Sequence, residues 1–215
     1  MRGKHPDPVA TLPAIILAGG RATRMGGGDK TLLLLDGTEV LAHVIARLSP
    51  QAAPIALNAN GDAARFQRFA LPVLPDPMKG FPGPLAGILA ALDWAHDLGA
   101  QQVVSVAADT PFFPPDLVKA LIAAQGPEGL ALAACPDLTG ERQLQPTFGL
   151  WPVTLREDLR AFLHQGGRKV RQWAETHQAG IAFFDSRPFF NINTPADLDE
   201  ANRLAIALQQ DRHAL

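Results

Sequence analysis

Between Leu17 and Leu33 the chain reads LAGGRATRMGGGDKTLL, which gathers five glycines, Arg21, Arg24 and Lys30 into one short stretch. Backbone N–H groups unshielded by side chains, with cations among them, suit a polyphosphate. The stretch fits neither common nucleotide signature. Asp29 stands where a Walker loop carries the glycine before its lysine, and no GxGxxG occurs there. A glycine-rich surface turn with solvated charges has the same composition, so both readings stand on composition alone. Two carboxylates follow: Asp76 precedes Pro77, and Asp109 precedes Thr110-Pro111. Each alone reads as a turn or N-cap residue. Beside a cationic glycine loop they become candidates for a metal–nucleotide site, Asp109 ahead of Asp76.

Other chemistries find little support. The single cysteine, Cys135, lies in the apolar run GLALAAC, which marks it as a small core residue and excludes a disulfide or a cysteine-rich zinc site. The six histidines are scattered without ligand spacing. With 19 Lys+Arg against 21 Asp+Glu, the net charge of −2 lacks the basic excess of a nucleic-acid surface. The short basic run GGRKVRQW, with Arg168, Lys169 and Arg171, reads as a solvated helix face or as a receiver of an anionic group. No apolar run is long enough to cross a bilayer, and MRGKHPDPVATLP lacks the apolar core of a secretory signal. The expectation is a soluble, cytoplasmic protein with a flexible segment over residues 1–12 and one domain over 1–215.

Short apolar runs alternate with segments of helical spacing. Strands are expected over Pro13–Gly20, Ala53–Asn60, Leu71–Asp76, Val103–Asp109, the runs LALAACPD and QPTFGLW, and Ile181–Asp185. Helices are expected over Glu39–Leu48, near Ala63–Phe69, and over Leu85–Leu98, Pro115–Ala123, Val153–His164, Arg168–Thr176 and Pro195–Gln209. The segment PMKGFPGP is a loop. Such alternation predicts an α/β, three-layer arrangement with a mostly parallel central sheet covered on both faces. Ligands of such sheets bind outside the carboxyl ends of the strands. Gly19 and Gly20, Asn58, Asp76 and Asp109 each close a predicted strand, so they belong to one rim.

The full residue order narrows the reading. Leu17-Ala18-Gly19-Gly20, Arg24-Met25-Gly26-Gly27, Asp29-Lys30 and Leu32-Leu33 resemble the signature of nucleotidyltransferases with the Rossmann-like nucleotide-diphospho-sugar transferase, or glycosyltransferase A-like, fold. The similarity to the molybdenum cofactor guanylyltransferase (MobA) family continues through NAN (Asn58 to Asn60), Pro75-Asp76, GPLAGI (Gly83 to Ile88), DTPFFPPDL (Asp109 to Leu117), QPT (Gln145 to Thr147) and NINTPADL (Asn191 to Leu198). These blocks span most of the chain. One departure is Ala108, where a cysteine is frequent in that family.

The resemblance implies transfer of GMP from GTP to the phosphate of molybdenum-bound molybdopterin, with pyrophosphate released. It implies that Leu17, Ala18, Gly19 and Gly20 bracket the guanosine, that Lys30 neutralises the triphosphate with help from Arg24, and that Asn58 and Asp76 complete the GTP pocket. Asp109 is implied as the Mg2+ ligand, and Gly83, Asn191 and Asn193 as the acceptor side. Contact with a molybdenum-insertion protein and with molybdoenzyme chaperones is a further implication, with no nucleic acid or membrane partner. Independently, a phosphomonoester with a second pKa of about 6 is already an ionised nucleophile near neutrality, so no Ser, Cys or His base is needed. An enzyme of the same superfamily transferring CMP, to molybdopterin or to a sugar or polyol phosphate, is the alternative. Gly19, in place of the alanine more usual in CTP-using relatives, leaves room for a purine. A non-catalytic nucleotide adaptor has no need to keep both Lys30 and Asp109.

Overall fold

The computed structural model describes residues 12–19, 30–78, 80, 83–184 and 188–213. A seven-stranded sheet runs through its centre. In chain order the strands are β1 (Ala14–Leu17), β4 (Ile55–Asn58), β5 (Val73–Leu74), β6 (Gln102–Ala107), β7 (Ala131–Pro136), β8 (Arg142–Pro152) and β9 (Gly180–Phe183), and a small ribbon adds β2 (Leu34–Leu35) and β3 (Thr38–Glu39). The helices are α1 (Val40–Leu48), α2 (Pro84–Asp97), α3 (Leu117–Ala123), α4 (Arg156–His164), α5 (Val170–Thr176) and α6 (Pro195–His213).

The sheet order is β5-β4-β1-β6-β8-β7-β9. Every neighbouring pair is parallel except the two made by β8, which runs against both β6 and β7. The mostly parallel, two-face-covered architecture expected from the alternation is therefore the one observed. Strand period assigns each residue to a face. Ala14, Ile16, Leu57, Val104 and Val106 pack with α1 and α3 through Leu41, Val44, Leu117 and Leu121. Ile15, Ala56, Val103 and Leu132 pack with α2, α4 and α5 through Ile88, Leu92, Leu159 and Trp173. A central strand flanked by strands and covered on both faces must be apolar at every position, which is why AIIL carries no alternation. Trp151 and Trp173 are fully buried and stack at 6.2 Å, so they are core residues as their type suggests.

Three local readings change. Ala63–Phe69 is 3-10 rather than α: only Phe66 is buried, Asp62 caps the start through its bond from the Ala64 amide, and Ala70 ends it in the left-handed region. The ribbon at 34–39 was not anticipated, although Asp36-Gly37, with φ of 49° and 75°, is the residue pair such a tight turn requires. Arg168 and Lys169 precede α5 rather than riding on it. The Arg168 guanidinium instead donates to Leu163 O (3.3 Å) and Gly167 O (2.7 Å) at the end of α4, where a cation meets the negative end of the helix dipole.

Candidate nucleotide and acceptor site

Register places the carboxyl ends of four strands side by side. Leu17 of β1 pairs with Asn58 of β4 on one side and Ala107 of β6 on the other, and Asn58 pairs with Leu74 of β5. The ladder continues past the strands: Ala18 N donates to Asn58 O (2.8 Å), Ala108 N to Leu17 O (3.1 Å) and Ala59 N to Leu74 O (3.0 Å). Leu17, Ala18, Gly19, Asn58, Asp76 and Asp109 consequently share one rim.

The β4–β5 side of that rim is densely hydrogen-bonded. Asn58, only 3% exposed, donates through Nδ2 to Leu74 O (3.1 Å) and Asp76 Oδ1 (2.9 Å). Asn60 Nδ2 donates to Asp76 Oδ2 (2.7 Å), and the Asp76 amide donates back to Asn60 Oδ1 (3.0 Å). Asp76 thus has both carboxylate oxygens engaged by asparagine amides. Helix α2 presses onto this group at Gly87, where a Cβ would lie 2.2 Å from Asn58 Oδ1 and 2.8 Å from Leu17 Cδ2. Only glycine permits that approach. Gly83, at φ 129°, precedes the helix and Pro84 opens it, a residue suited to a first helical position.

On the β6 side, Asp109 stands two residues beyond the strand. Its carbonyl accepts from the Ile192 amide (2.9 Å). Thr110, wholly buried, bonds through Oγ1 to Asn191 Oδ1 (2.6 Å) and to Asp109 Oδ1 (3.1 Å). The NINTPADL segment is therefore docked against the end of β6, pinned by Ile192 in a small core with Leu35, Val40 and Ala201. Asn193 is exposed; its amide and that of Thr194 donate to Asp197 Oδ2 (2.9 and 2.8 Å), while the Asp197 amide donates to Thr194 Oγ1 (3.2 Å). This reciprocal cap explains Thr194-Pro195-x-Asp197 as the start of α6. It leaves the Asn191 side chain turned to Thr110 instead.

Gly20 and Arg24 lie outside the described residues. The backbone of Lys30 opens a 3-10 turn, Lys30–Leu32, packed against α1; its side chain is outside the description as well.

A cavity of ≈ 670 Å³ opens among β7, β8, β9 and α5. Pro84, at the start of α2, forms part of its wall; its cations are Arg142, Arg168, Lys169 and Arg171, with Asp137 and Glu175 also in the lining. The Arg171 guanidinium is held charged by the bond its Nε makes to Glu175 Oε1 (2.7 Å), which raises its pKa. Asp137 is bonded by the Thr139 hydroxyl and amide and the Glu141 amide, so its carboxyl lies below the usual range. Arg142 escaped the sequence reading because it stands at the start of β8, far along the chain from the basic run. Asn60, Gly87 and Thr110 sat within noted blocks without a role; their contacts exist only once the strands are paired.

A magnesium ion asks little of the protein beyond a carboxylate or two, with phosphate oxygens and water filling the octahedron. One partly buried carboxylate just past a strand end, Asp109, on the same rim as Gly19, suits that donor set. Among the described residues no group of three or more His, Cys, Asp and Glu side chains converges as a metal cage. Cys135 is buried, and burial pushes its thiol up, which disfavours the thiolate a nucleophile needs. No helix among the described residues is long and apolar enough to cross a membrane.

Residues 14–180 match the family model described as MobA-like NTP transferase domain. The chain is 50% identical over 208 residues to the molybdenum cofactor guanylyltransferase of Bradyrhizobium sp. (strain ORS 278), covering 93% of this chain and 96% of that one. It is 47% identical over 200 residues to the molybdenum cofactor guanylyltransferase of Rhodopseudomonas palustris (strain BisB5), covering 90% and 94%. Among solved structures, molybdopterin-guanine dinucleotide biosynthesis protein A from Archaeoglobus fulgidus matches with a TM-score of 0.66 at 22% identity, over 91% of this chain and 100% of that one. The 4-diphosphocytidyl-2C-methyl-D-erythritolsynthase from Anaerococcus prevotii matches with a TM-score of 0.68 at 15% identity, over 91% and 96%. These two structural likenesses speak for the fold.

Proposed function

Since the chain belongs to the MobA-like NTP transferase family and is a nucleotidyltransferase, we propose that it transfers GMP from GTP to the terminal phosphate of molybdenum-bound molybdopterin. An oxygen of the acceptor phosphate attacks the α-phosphorus of GTP. The new P–O–P linkage forms as the bond from the α-phosphorus to the β-phosphate bridging oxygen breaks, and pyrophosphate departs with that oxygen and its electron pair. The nucleophile arrives ionised, so the protein's task is alignment and relief of repulsion between two polyanions.

Leu17, Ala18, Gly19 and Gly20 bracket the guanosine, and Asn58 with Asp76 closes the base side of the pocket. Lys30 and Arg24 neutralise the triphosphate. Asp109 holds the magnesium ion, which when bound offsets phosphate charge as a Lewis acid. Gly83, Asn191 and Asn193 face the acceptor, whose phosphate is received by the cationic cavity of Arg142, Arg168 and Lys169. A molybdenum-insertion protein and molybdoenzyme chaperones are the expected handover partners. The observation that carries this reading is the single rim formed by Gly19, Asn58, Asp76 and Asp109, together with a four-cation cavity whose wall includes Pro84 at the start of α2.

The test is pyrophosphate and dinucleotide formation by purified protein supplied with molybdenum-bound molybdopterin and either GTP or CTP. GTP gives the guanine dinucleotide and CTP gives at most a small fraction of that rate. Equal release from both would remove the guanine assignment and leave the cytidylyl alternative.

A further inference from the structure

Asn58 presents an unusual hydrogen-bond account. Both protons of its amide are used, on Leu74 O and Asp76 Oδ1, yet among the described residues no donor reaches its Oδ1. No buried side-chain N or O atom among the described residues lacks a partner, so Oδ1 keeps accessible surface although Asn58 as a whole is only 3% exposed, and a donor can reach it. Helix α2 blocks one approach, since a Cβ on Gly87 would lie 2.2 Å away; a Cβ on Gly19 would lie 3.5 Å away, at ordinary contact distance on the rim. That oxygen therefore lies between Gly87 of α2 and Gly19 of the rim.

The direction of that oxygen is set from outside the cleft. Turning the Asn58 amide over would oppose its oxygen to two acceptors, Leu74 O and Asp76 Oδ1. The Asp76 carboxylate can swing only if it leaves Asn60, which grips it by a two-way pair: Asn60 Nδ2 to Asp76 Oδ2 (2.7 Å) and Asp76 N to Asn60 Oδ1 (3.0 Å). Asn60 is held in turn through its carbonyl, which accepts from Arg65 Nη2 (2.9 Å).

We infer that Asn60 is a positioning residue for nucleoside selection: through Asp76 it locks the Asn58 amide with Oδ1 facing the rim, as an acceptor for a donor group on the nucleoside. Guanosine offers such donors at N1–H and the exocyclic amino group of the base and at the 2′- and 3′-hydroxyls of the ribose; the donor assigned to Asn58 Oδ1 is the amino group or the 2′-hydroxyl. The inference deepens the nucleotidyltransferase reading and rests on it for the identity of the ligand.

The experiment measures, by titration calorimetry, the Kd of GTP, of ITP, which lacks the amino group, and of 2′-deoxy-GTP, which lacks the hydroxyl. It is run on the wild type, Asn60→Ala, Asn58→Ala and the double variant. The wild type is expected to favour GTP over one analogue by about five- to tenfold, the scale of one hydrogen bond. The analogue so disfavoured identifies the donor. In Asn60→Ala that ratio falls to within about twofold of unity, and kcat with saturating GTP stays within about twofold of the wild type. The ratio is insensitive to the fraction of folded protein. Because Asn60 acts through Asn58, the double variant loses no more selectivity than Asn58→Ala. An unchanged ratio in Asn60→Ala, a wild type indifferent to both analogues, or additive losses in the double variant would each overturn the inference. A wild type that selects CTP defeats the guanine reading instead, and the lock is then judged on CTP against UTP and 2′-deoxy-CTP in the same four proteins.

Discussion

The two sides of the site are built on different physics. At the ends of β4, β1 and β5, Asn58, Asn60 and Asp76 are tied by four hydrogen bonds to one another and to Leu74, under a helix that touches them at a glycine. At the cavity beside α5, cations stand on exposed positions, and Arg171 is already matched by Glu175. The first region is rigid and short-ranged, suited to reading donors and acceptors on a neutral base. The second offers charge with loose geometry, suited to holding a phosphate in several orientations. Selectivity for the base should therefore reside at the strand ends, and the salt sensitivity of acceptor binding in the cavity.

The largest break is expected between the two regions, at Asp109. Asp109→Asn should reduce pyrophosphate release by at least about a hundredfold, the scale of losing a charge-stabilising group, while GTP binding measured by calorimetry falls far less. Equal losses of binding and turnover would place Asp109 outside the reacting centre.

Next in size is Arg142→Ala. Removing one of the cavity cations proposed to receive the acceptor phosphate should raise KM for the molybdopterin acceptor by about tenfold, in line with charge-assisted hydrogen bonds of about 1.5–3 kcal/mol. KM for GTP should stay constant. The variant should also flatten the salt dependence of the acceptor KM and leave that of the GTP KM, which follows the triphosphate contacts of Lys30 and Arg24, as in the wild type. Equal changes in both salt curves would erase the distinction between the two regions.

Gly87→Ala probes the strand-end side. Crowding the Asn58 amide costs about 1–3 kcal/mol, partly offset by about 1 kcal/mol of helix propensity gained on replacing glycine. Thermal unfolding should therefore shift by only a few degrees while KM for GTP rises several-fold. A large drop in Tm with unchanged KM would mean that the helix, not the amide, yields.

Arg171→Ala should be the mildest on turnover, within about twofold, because its charge is already shared in an exposed i, i+4 pair, and such pairs contribute only about 0.3–0.5 kcal/mol. A pH titration of the β7–β8 turn gives a comparably small signal. Asp137 has its carboxyl lowered by the Thr139 and Glu141 donors, so the turn is fully supported above the ordinary carboxylate pKa of about 4. That support is lost as pH falls through the lowered folded value. The protection of the Thr139 amide, taken relative to the intrinsic exchange rate at each pH, should fall over that acid range and hold steady near neutrality.

Much of this molecule could be read from the chain. AIIL, between Pro13 and the turn at Gly19-Gly20, reads as a buried strand. Thr194-Pro195-x-Asp197 announced the start of α6, and the ordered blocks from Leu17 to Leu198 carried the family. Those features are local, fixed by backbone sterics, capping and the two-residue period of a strand, so neighbours in sequence suffice to determine them. Long-range partners were beyond that reach. That Asn60 would grip Asp76, that Thr110 would bridge Asp109 and Asn191 across 81 positions of chain, and that Arg142 would join Arg168 in one cavity depended on strand order and register. Sequence fixes which residues end each strand; only the folded sheet, by setting which strands lie side by side, decides which of those ends touch.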